Sequence, residues 1–141
     1  MEQRVSVITL PVTDIARSKA FYCAGLSWEA AFANEEAVFF QLNGLVLSLF
    51  RQQGFVEDST RPWQPGHSSF ALAHNTRSQA EVDTVFAQAL AAGATAVKPP
   101  QATFWGGYAG YFADPDGHLW EVAHNPAWPI TAEGETLFAP Q

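Results

Sequence analysis

Two ionisable side chains in the second half of the chain have positions suited to acid–base chemistry or to metal binding. Glu121 alternates with Trp120 and Val122 in a strand-like run. If Trp120 packs against a helix, alternation along the strand turns Glu121 to the opposite, free face of the sheet. His67 begins another strand-like run, and its imidazole, with an ordinary pKa of about 6.5, can exist in either protonation state. Both residues are predicted to be catalytic; the alternative for His67 is a polar residue at a strand start.

A glycine-rich aromatic segment, residues 104–112, points to a second kind of chemistry, the stacking of flat rings. It reads FWGGYAGYF, and its glycines let the backbone approach a neighbouring group closely. Rings with polar tips suit a planar ligand held by stacking and one or two hydrogen bonds. We predict that Trp105, Tyr108 and Tyr111 contact such a ligand; the alternative is that these rings only fill the core.

Each half of the chain contains one helix with recognisable ends. Ser78 stands three residues before Glu81, which is a capping box, and Gly93 ends the apolar stripe that follows. In the first half Asp14 is the N-cap and Gly25 closes the helix. These signals place one helix at an equivalent point of each half.

A strand-like run precedes each helix, and three more follow it. The tight-turn dipeptides Asn43-Gly44 and Asp116-Gly117 separate the last two runs of each half. The predicted strands are residues 5–12, 28–32, 38–42 and 45–50 in the first half and 67–72, 95–98, 104–112 and 119–123 in the second. The pattern predicts an α+β fold of two βαβββ units.

The remaining segments are predicted to connect or cover these units within one domain of residues 1–141. The first unit covers residues 5–50 and the second 67–124, and residues 51–66 have the Pro and Gly content of a linker. In the tail, residues 125–141, Trp128 and Ile130 are predicted to anchor the chain. If the two mixed sheets pair, their free faces form a shared concavity, the cup, where Thr9 joins the predicted ligand contacts.

Composition excludes several classes of function. The net charge is −7 with only seven Lys plus Arg, which argues against a nucleic-acid partner. The sequence lacks a secretory signal and any apolar run near the ~20 residues that cross a bilayer. We therefore predict a cytoplasmic protein without a membrane partner, in which the single Cys23 is a buried, inert thiol.

Two motifs resemble those of a known family. Residues 12–22, VTDIARSKAFY, look like the first-helix signature of the vicinal oxygen chelate family, and residues 114–122, DPDGHLWEV, are similar to its closing hairpin. This family includes glyoxalase I, extradiol dioxygenases, fosfomycin-resistance enzymes and bleomycin-resistance proteins. The resemblance covers the chain to about residue 126 and implies the cup-shaped fold and a homodimer.

The resemblance also implies where a metal ion would bind. Metal-using members take ligands from the first strand of each half and from the last strands. Counting from Val12 and Leu72 gives Val7 and His67, and counting from the hairpin glycines gives Ser48 and Glu121. His67 and Glu121 are ordinary ligands, Val7 has no donor atom, and the Ser48 hydroxyl is a poor ligand.

Three hypotheses follow for the function. The leading one is a protein of the bleomycin-resistance type that binds a planar or aromatic molecule without transforming it and without a metal cofactor, with Ser48 among the contacts. The second is a divalent-metal-dependent lyase, isomerase or dioxygenase that uses His67 and Glu121 as ligands, with His74 as a further donor if the strand register allows. The third is a metal-free enzyme with Glu121 as base and His67 as acid.

Overall fold

A computed structural model of the chain describes residues 1, 3–66 and 70–138, and the chain divides into two compact units, Met1–Gly66 and His67–Gln141. In the first unit, strand β1 is followed by helix α1 and a π-helical turn, and three strands and a second helix come after them. Their bounds are β1 Val7–Val12, α1 Ile15–Ala20, the π-helical turn Phe21–Gly25, β2 Phe32–Ala33, β3 Ala37–Gln41, β4 Val46–Arg51 and α2 Gln52–Ser59.

The first sheet has the order β1-β4-β3-β2, in which β1 is parallel to β4 and the other pairs are antiparallel. One face carries the buried side chains of the core. The ring of Tyr22, in the π-helical turn, lies 5.7 Å from that of Phe40 in β3, measured between centroids. The other buried residues of this unit include Leu10, Val12, Ile15, Phe21, Val38, Leu47 and Leu49.

The second unit repeats this arrangement, with β5 Ala71–Asn75, α3 Gln79–Ala91, β6 Thr95–Ala102, β7 Tyr108–Ala113 and β8 Leu119–His124. The sheet order is β5-β8-β7-β6, and β5 is parallel to β8. Phe112 of β7 stacks on Trp120 of β8 at 6.4 Å and meets Phe86 of α3 edge-on at the same distance. The predicted α+β fold of two βαβββ units is confirmed.

Several predicted boundaries are wrong for identifiable reasons. The strand predicted at 28–32 shrinks to Phe32–Ala33, because Trp28 packs its ring against Tyr22 and Phe40 from a loop, at 5.5 Å from each. The linker, residues 51–66, contains helix α2, since its prolines fall after the helix ends at Ser59.

Two further corrections concern β5 and Cys23. Strand β5 begins at Ala71 and continues to Asn75, so Leu72 does not end it as predicted. Cys23 is a free thiol, as predicted, but it is half-buried in the π-helical turn rather than fully buried. No helix among the described residues is both long and apolar enough to span a membrane.

Candidate functional site

The two faces of the second sheet differ in what they contact. Trp120 and Val122 are buried on the side of α3, so alternation along β8 turns Glu121 to the opposite face, as predicted. The pairing of β7 with β8 places Tyr111 beside Glu121 on that face. We call this side of the second sheet, opposite α3, its free face.

A cavity of about 450 Å³ opens on the free face and is formed by residues of the second unit alone. Three aromatic side chains line it together with one carboxylate, two amides and a methyl group. The lining residues are Asn75, Trp105, Glu121, Ala123, Asn125, Trp128 and Phe138. We refer to this space as the second-unit cavity.

The carboxylate of Glu121 is held by a tyrosine from the neighbouring strand. The Tyr111 hydroxyl donates a hydrogen bond to Oε1 of Glu121 at 2.9 Å. Burial raises the pKa of the Tyr111 phenol above its ordinary value of 10.0, and the hydrogen bond to Glu121 and the charge of that carboxylate act in the same direction. Among the described residues Glu121 makes no other side-chain hydrogen bond and no ion pair. No described residue therefore competes with a ligand for its remaining acceptor positions.

The raised pKa of Tyr111 has a measurable consequence for stability at high pH. Because the folded protein holds this phenolic proton more tightly than the unfolded chain does, the stabilisation is complete below about pH 10 and is lost as pH rises through the folded-state pKa. We expect the Tyr111→Phe variant to lose less stability than the parent above pH 10. Urea unfolding at pH 8 and at several values above 10 measures this difference, and equal losses in both proteins would contradict it.

A tight loop between β6 and β7 holds Trp105 in position. The amide of Thr103 donates to the carbonyl of Gly107 at 3.0 Å, and Gly107 donates to the Thr103 hydroxyl at the same distance. Gly106 adopts a φ of +86°, a left-handed value that favours glycine. The indole of Trp105 lies directly over Gly107, where an added Cβ would overlap the ring. Trp105 also lines the second-unit cavity, a position that its predicted role as a ligand contact requires.

The tail completes the cavity. Its chain folds back through a bridge between Ile130 and Thr136, so that Phe138 meets the edge of Trp128 at 5.3 Å between ring centroids. Arg77, at the start of α3, donates to the carbonyl of Thr131 at 2.7 Å and holds this fold in place. The sequence indicated Trp128 as an anchor of the tail but not as part of a site, and gave no signal for Phe138.

The structure does not bring every predicted site residue into this cavity. Tyr108 lies on the α3 side of β7, where its hydroxyl donates to Asp83 at 2.9 Å. His74 pairs with Val122 on the face opposite Glu121, and burial lowers its pKa below 6.5, partly offset by Glu81. His74 therefore cannot share a metal ion with Glu121. His67 lies outside the described residues.

Thr9 and Ser48 belong to the first unit and are neighbours across the parallel β1–β4 pair. Both lie on the face opposite α1, and Ser48 is only 4% exposed. A cavity of about 660 Å³ in this unit surrounds the start of α1 instead and includes neither residue. Their predicted role as ligand contacts stays a prediction.

The registers of the two sheets identify the second-half counterpart of Val7. Val7 lies two residues before the partner of Ser48 in the first sheet. Glu121 is the counterpart of Ser48, and its partner in the second sheet is Ala73. The residue two positions before Ala73 is Ala71. The register therefore places the counterpart of Val7 at Ala71, four residues after the predicted His67.

The described residues do not fit the family's divalent-metal site. At the four ligand positions, Val7 and Ala71 have no donor atom, Ser48 offers a hydroxyl, and Glu121 alone is an ordinary ligand. Within residues 1, 3–66 and 70–138, no three His, Cys, Asp or Glu side chains lie close enough together to hold a metal ion. The pairing of His67 with Glu121 at a metal stays a prediction.

Comparisons with known proteins give the family and the fold. A family model described as the Glyoxalase/Bleomycin resistance protein/Dioxygenase superfamily matches residues 4–122. The crystal structure of a glyoxalase-related enzyme from Fulvimarina pelagi is 43% identical, with a TM-score of 0.94, covering 98% of this chain and 99% of that one. No curated protein gives a significant match.

More distant structures share the fold. A glyoxalase/bleomycin resistance protein/dioxygenase family enzyme from Burkholderia phytofirmans is 19% identical with a TM-score of 0.74, covering 84% of this chain and 96% of that one. Lactoylglutathione lyase from Agrobacterium tumefaciens is 22% identical with a TM-score of 0.70, covering 93% of this chain and 100% of that one.

Proposed function

Because the chain belongs to the Glyoxalase/Bleomycin resistance protein/Dioxygenase superfamily, we propose that it binds a small planar or aromatic molecule in the second-unit cavity and releases it unchanged. The observation that carries this proposal is the lining of the cavity, in which two indole rings and a phenyl ring accompany one carboxylate. Flat apolar surfaces with few polar groups are typical of sites that hold planar molecules by stacking.

The size of the cavity and its polar groups support the proposal. Small-molecule sites usually have volumes of about 300–1,000 Å³, and the second-unit cavity, at about 450 Å³, lies within that range. Trp105 and Trp128 supply the flat surfaces, while Glu121 and Asn75 can orient a ligand through hydrogen bonds. The Tyr111 hydroxyl fixes the carboxylate in one position, which reduces the entropy lost on binding.

Equilibrium dialysis with a panel of planar two-ring and three-ring compounds tests the proposal. We expect saturable binding of at least one compound at one per chain, with the compound recovered chemically intact after prolonged incubation. Absence of binding across the panel, or steady conversion of a bound compound, would overturn it.

The second candidate is a metal-dependent lyase, isomerase or dioxygenase. It is favoured by the position of Glu121 on the last strand, facing a cavity, and by the 43% identical structure being described as that of a glyoxalase-related enzyme. Elemental analysis of tag-free protein purified without chelator tests this candidate. About one metal ion per chain in the parent and none in the Glu121→Gln variant would support it; no metal in either would rule it out for this protein.

We also propose that the protein is a homodimer, as the family resemblance implies, and that it is cytoplasmic, as predicted from the sequence. Phe32 and Phe39 stack on the face of the first sheet opposite α1 with ring centroids 5.3 Å apart, and they are 46% and 38% exposed. An exposed aromatic pair of this kind suits contact with a second copy. Sedimentation equilibrium should give twice the mass of the 15.4 kDa chain, and a monomer at all concentrations would contradict the dimer.

A further inference from the structure

We propose that the second-unit cavity selects an organic cation, a planar aromatic group that carries a positive charge beside Glu121. The inference rests on the proposed function, since it names the chemical class of the molecule that the cavity holds. Three features of the described residues lead to it: an unneutralised carboxylate, aromatic rings around it, and an excess of negative charge on the chain.

The first feature is the state of Glu121. The side chain is half-buried in the cavity, and its one side-chain partner among the described residues is the neutral Tyr111 hydroxyl. A carboxylate removed from water is costly unless an opposite charge or several hydrogen bonds compensate it. Among the described residues no lysine or arginine lines the cavity; Lys98, which pairs with Tyr111 on the next strand, is exposed and lies outside the lining. A bound cation would supply the missing charge.

The second feature is the set of rings that surrounds this carboxylate. Trp105 and Trp128 line the cavity with Phe138, and tryptophan gives the strongest cation–π attraction of the aromatic residues. The same rings stack on a flat apolar framework. A planar cation therefore uses both properties of the lining, whereas a neutral ring uses only one and an anion is repelled by Glu121.

The third feature, the excess of negative charge on the chain, acts on a ligand before it binds. The chain carries a net charge of −7, so its long-range field attracts cations and repels anions at moderate salt. This field is general, and a sharp test must separate it from the local effect of Glu121. Asp83 makes this possible, because its carboxylate lies on the α3 side, bonded to Tyr108, outside the cavity lining.

Three probes of similar size and different charge test the inference by equilibrium dialysis at fixed ionic strength: 1-methylquinolinium, 1-methylnaphthalene and 1-naphthoate. We expect the cation to bind at least about tenfold more tightly than the neutral probe, a difference of about 1.4 kcal/mol in the free energy of binding. In Glu121→Gln this preference should largely disappear, because the affinity for 1-methylquinolinium should fall to near that for 1-methylnaphthalene in the same variant. In Asp83→Asn, which changes the net charge equally, the preference should persist.

The outcomes separate this inference from the proposed function. Equal or tighter binding of the neutral or anionic probe would overturn the cation preference and leave the binding of planar molecules standing. Failure of all three probes to bind would count against both. Equal loss of preference in Glu121→Gln and Asp83→Asn would assign the effect to the overall charge and overturn the role of Glu121.

Discussion

Replacing Gly107 by alanine should both destabilise the second unit and remove Trp105 from its position. The added Cβ would overlap the indole of Trp105 and lie 2.6 Å from the carbonyl oxygen of His124. Gly107 does not have a positive φ, so the effect comes from steric overlap and not from backbone strain. Overpacking of this kind costs about 1–3 kcal/mol and occasionally more, because a backbone oxygen cannot move aside as a flexible side chain can.

Urea unfolding and dialysis with a planar probe measure the two effects separately. We expect Gly107→Ala to lower the free energy of unfolding and to abolish detectable ligand binding. Trp105→Ala, which keeps Gly107, should bind the planar probe no better than Gly107→Ala does. Its free energy of unfolding should stay closer to that of the parent. The double variant should recover only part of the stability, since the contact with the His124 carbonyl remains. If Gly107→Ala unfolds and binds the probe as the parent does, the packing of the Trp105 indole over Gly107 is contradicted.

Replacing Trp128 by alanine should weaken ligand binding strongly through the tail. Trp128 lines the cavity and also packs against Phe138, which is itself 73% exposed. One substitution therefore removes one ring from the lining and releases a second. Truncation of a tryptophan that acts as a binding hot spot costs about 2 kcal/mol or more, a loss of roughly 30-fold or more in affinity.

Trp63→Ala is the matched control for this variant. Trp63 belongs to the first unit, is 41% exposed, and does not line the second-unit cavity. We expect it to bind the probe as the parent does, and both variants to unfold as cooperatively as the parent in urea. Equal losses of affinity in the two variants would indicate that the ligand does not depend on the tail.

Local signals in the sequence were sufficient for the order of the strands and of the two capped helices, α1 and α3. Asp14 accepts from the amide of Arg17 at 3.0 Å, and Ser78 from that of Glu81 at 3.2 Å, so both predicted N-caps are confirmed. Gly44 has a φ of +76°, as a turn between two strands favours. Such features depend on neighbours within a few residues, and for that reason they can be read from a single chain.

Two kinds of feature were harder to predict: the face of the sheet to which a strand residue points, and contacts between residues far apart in the sequence. Glu121 was assigned to the free face because Trp120 and Val122 mark the buried one. Tyr108 has no such neighbours, and its place on the α3 side is shown by its pairing with His124 in β8 and by its hydrogen bond to Asp83. The same limitation applies to the first strand of the second unit, where the apolar Leu72 resembled a strand end although pairing continues to Asn75.

The tail shows a different limit. Phe138 reaches the cavity because Leu137 donates to the carbonyl of Pro129 at 2.9 Å and closes a loop that turns at Gly134, where φ is +91°. Arg77, more than fifty positions away in the sequence, then fixes that loop through the Thr131 carbonyl. A contact made across such a separation leaves no periodic pattern, so two of the three aromatic lining residues, Trp128 and Phe138, could not be placed in the cavity from the sequence.

The most direct test of the account is a heteronuclear NMR titration that follows the indole N–H signals of the five tryptophans, assigned by single Trp→Phe variants, as 1-methylquinolinium is added. The account predicts large, saturable shifts for Trp105 and Trp128 at one ligand per chain, with the signals of Trp28, Trp63 and Trp120 nearly unchanged. Shifts centred on Trp28 or Trp63, or no saturable shift at all, would contradict the assignment of the second-unit cavity as the binding site.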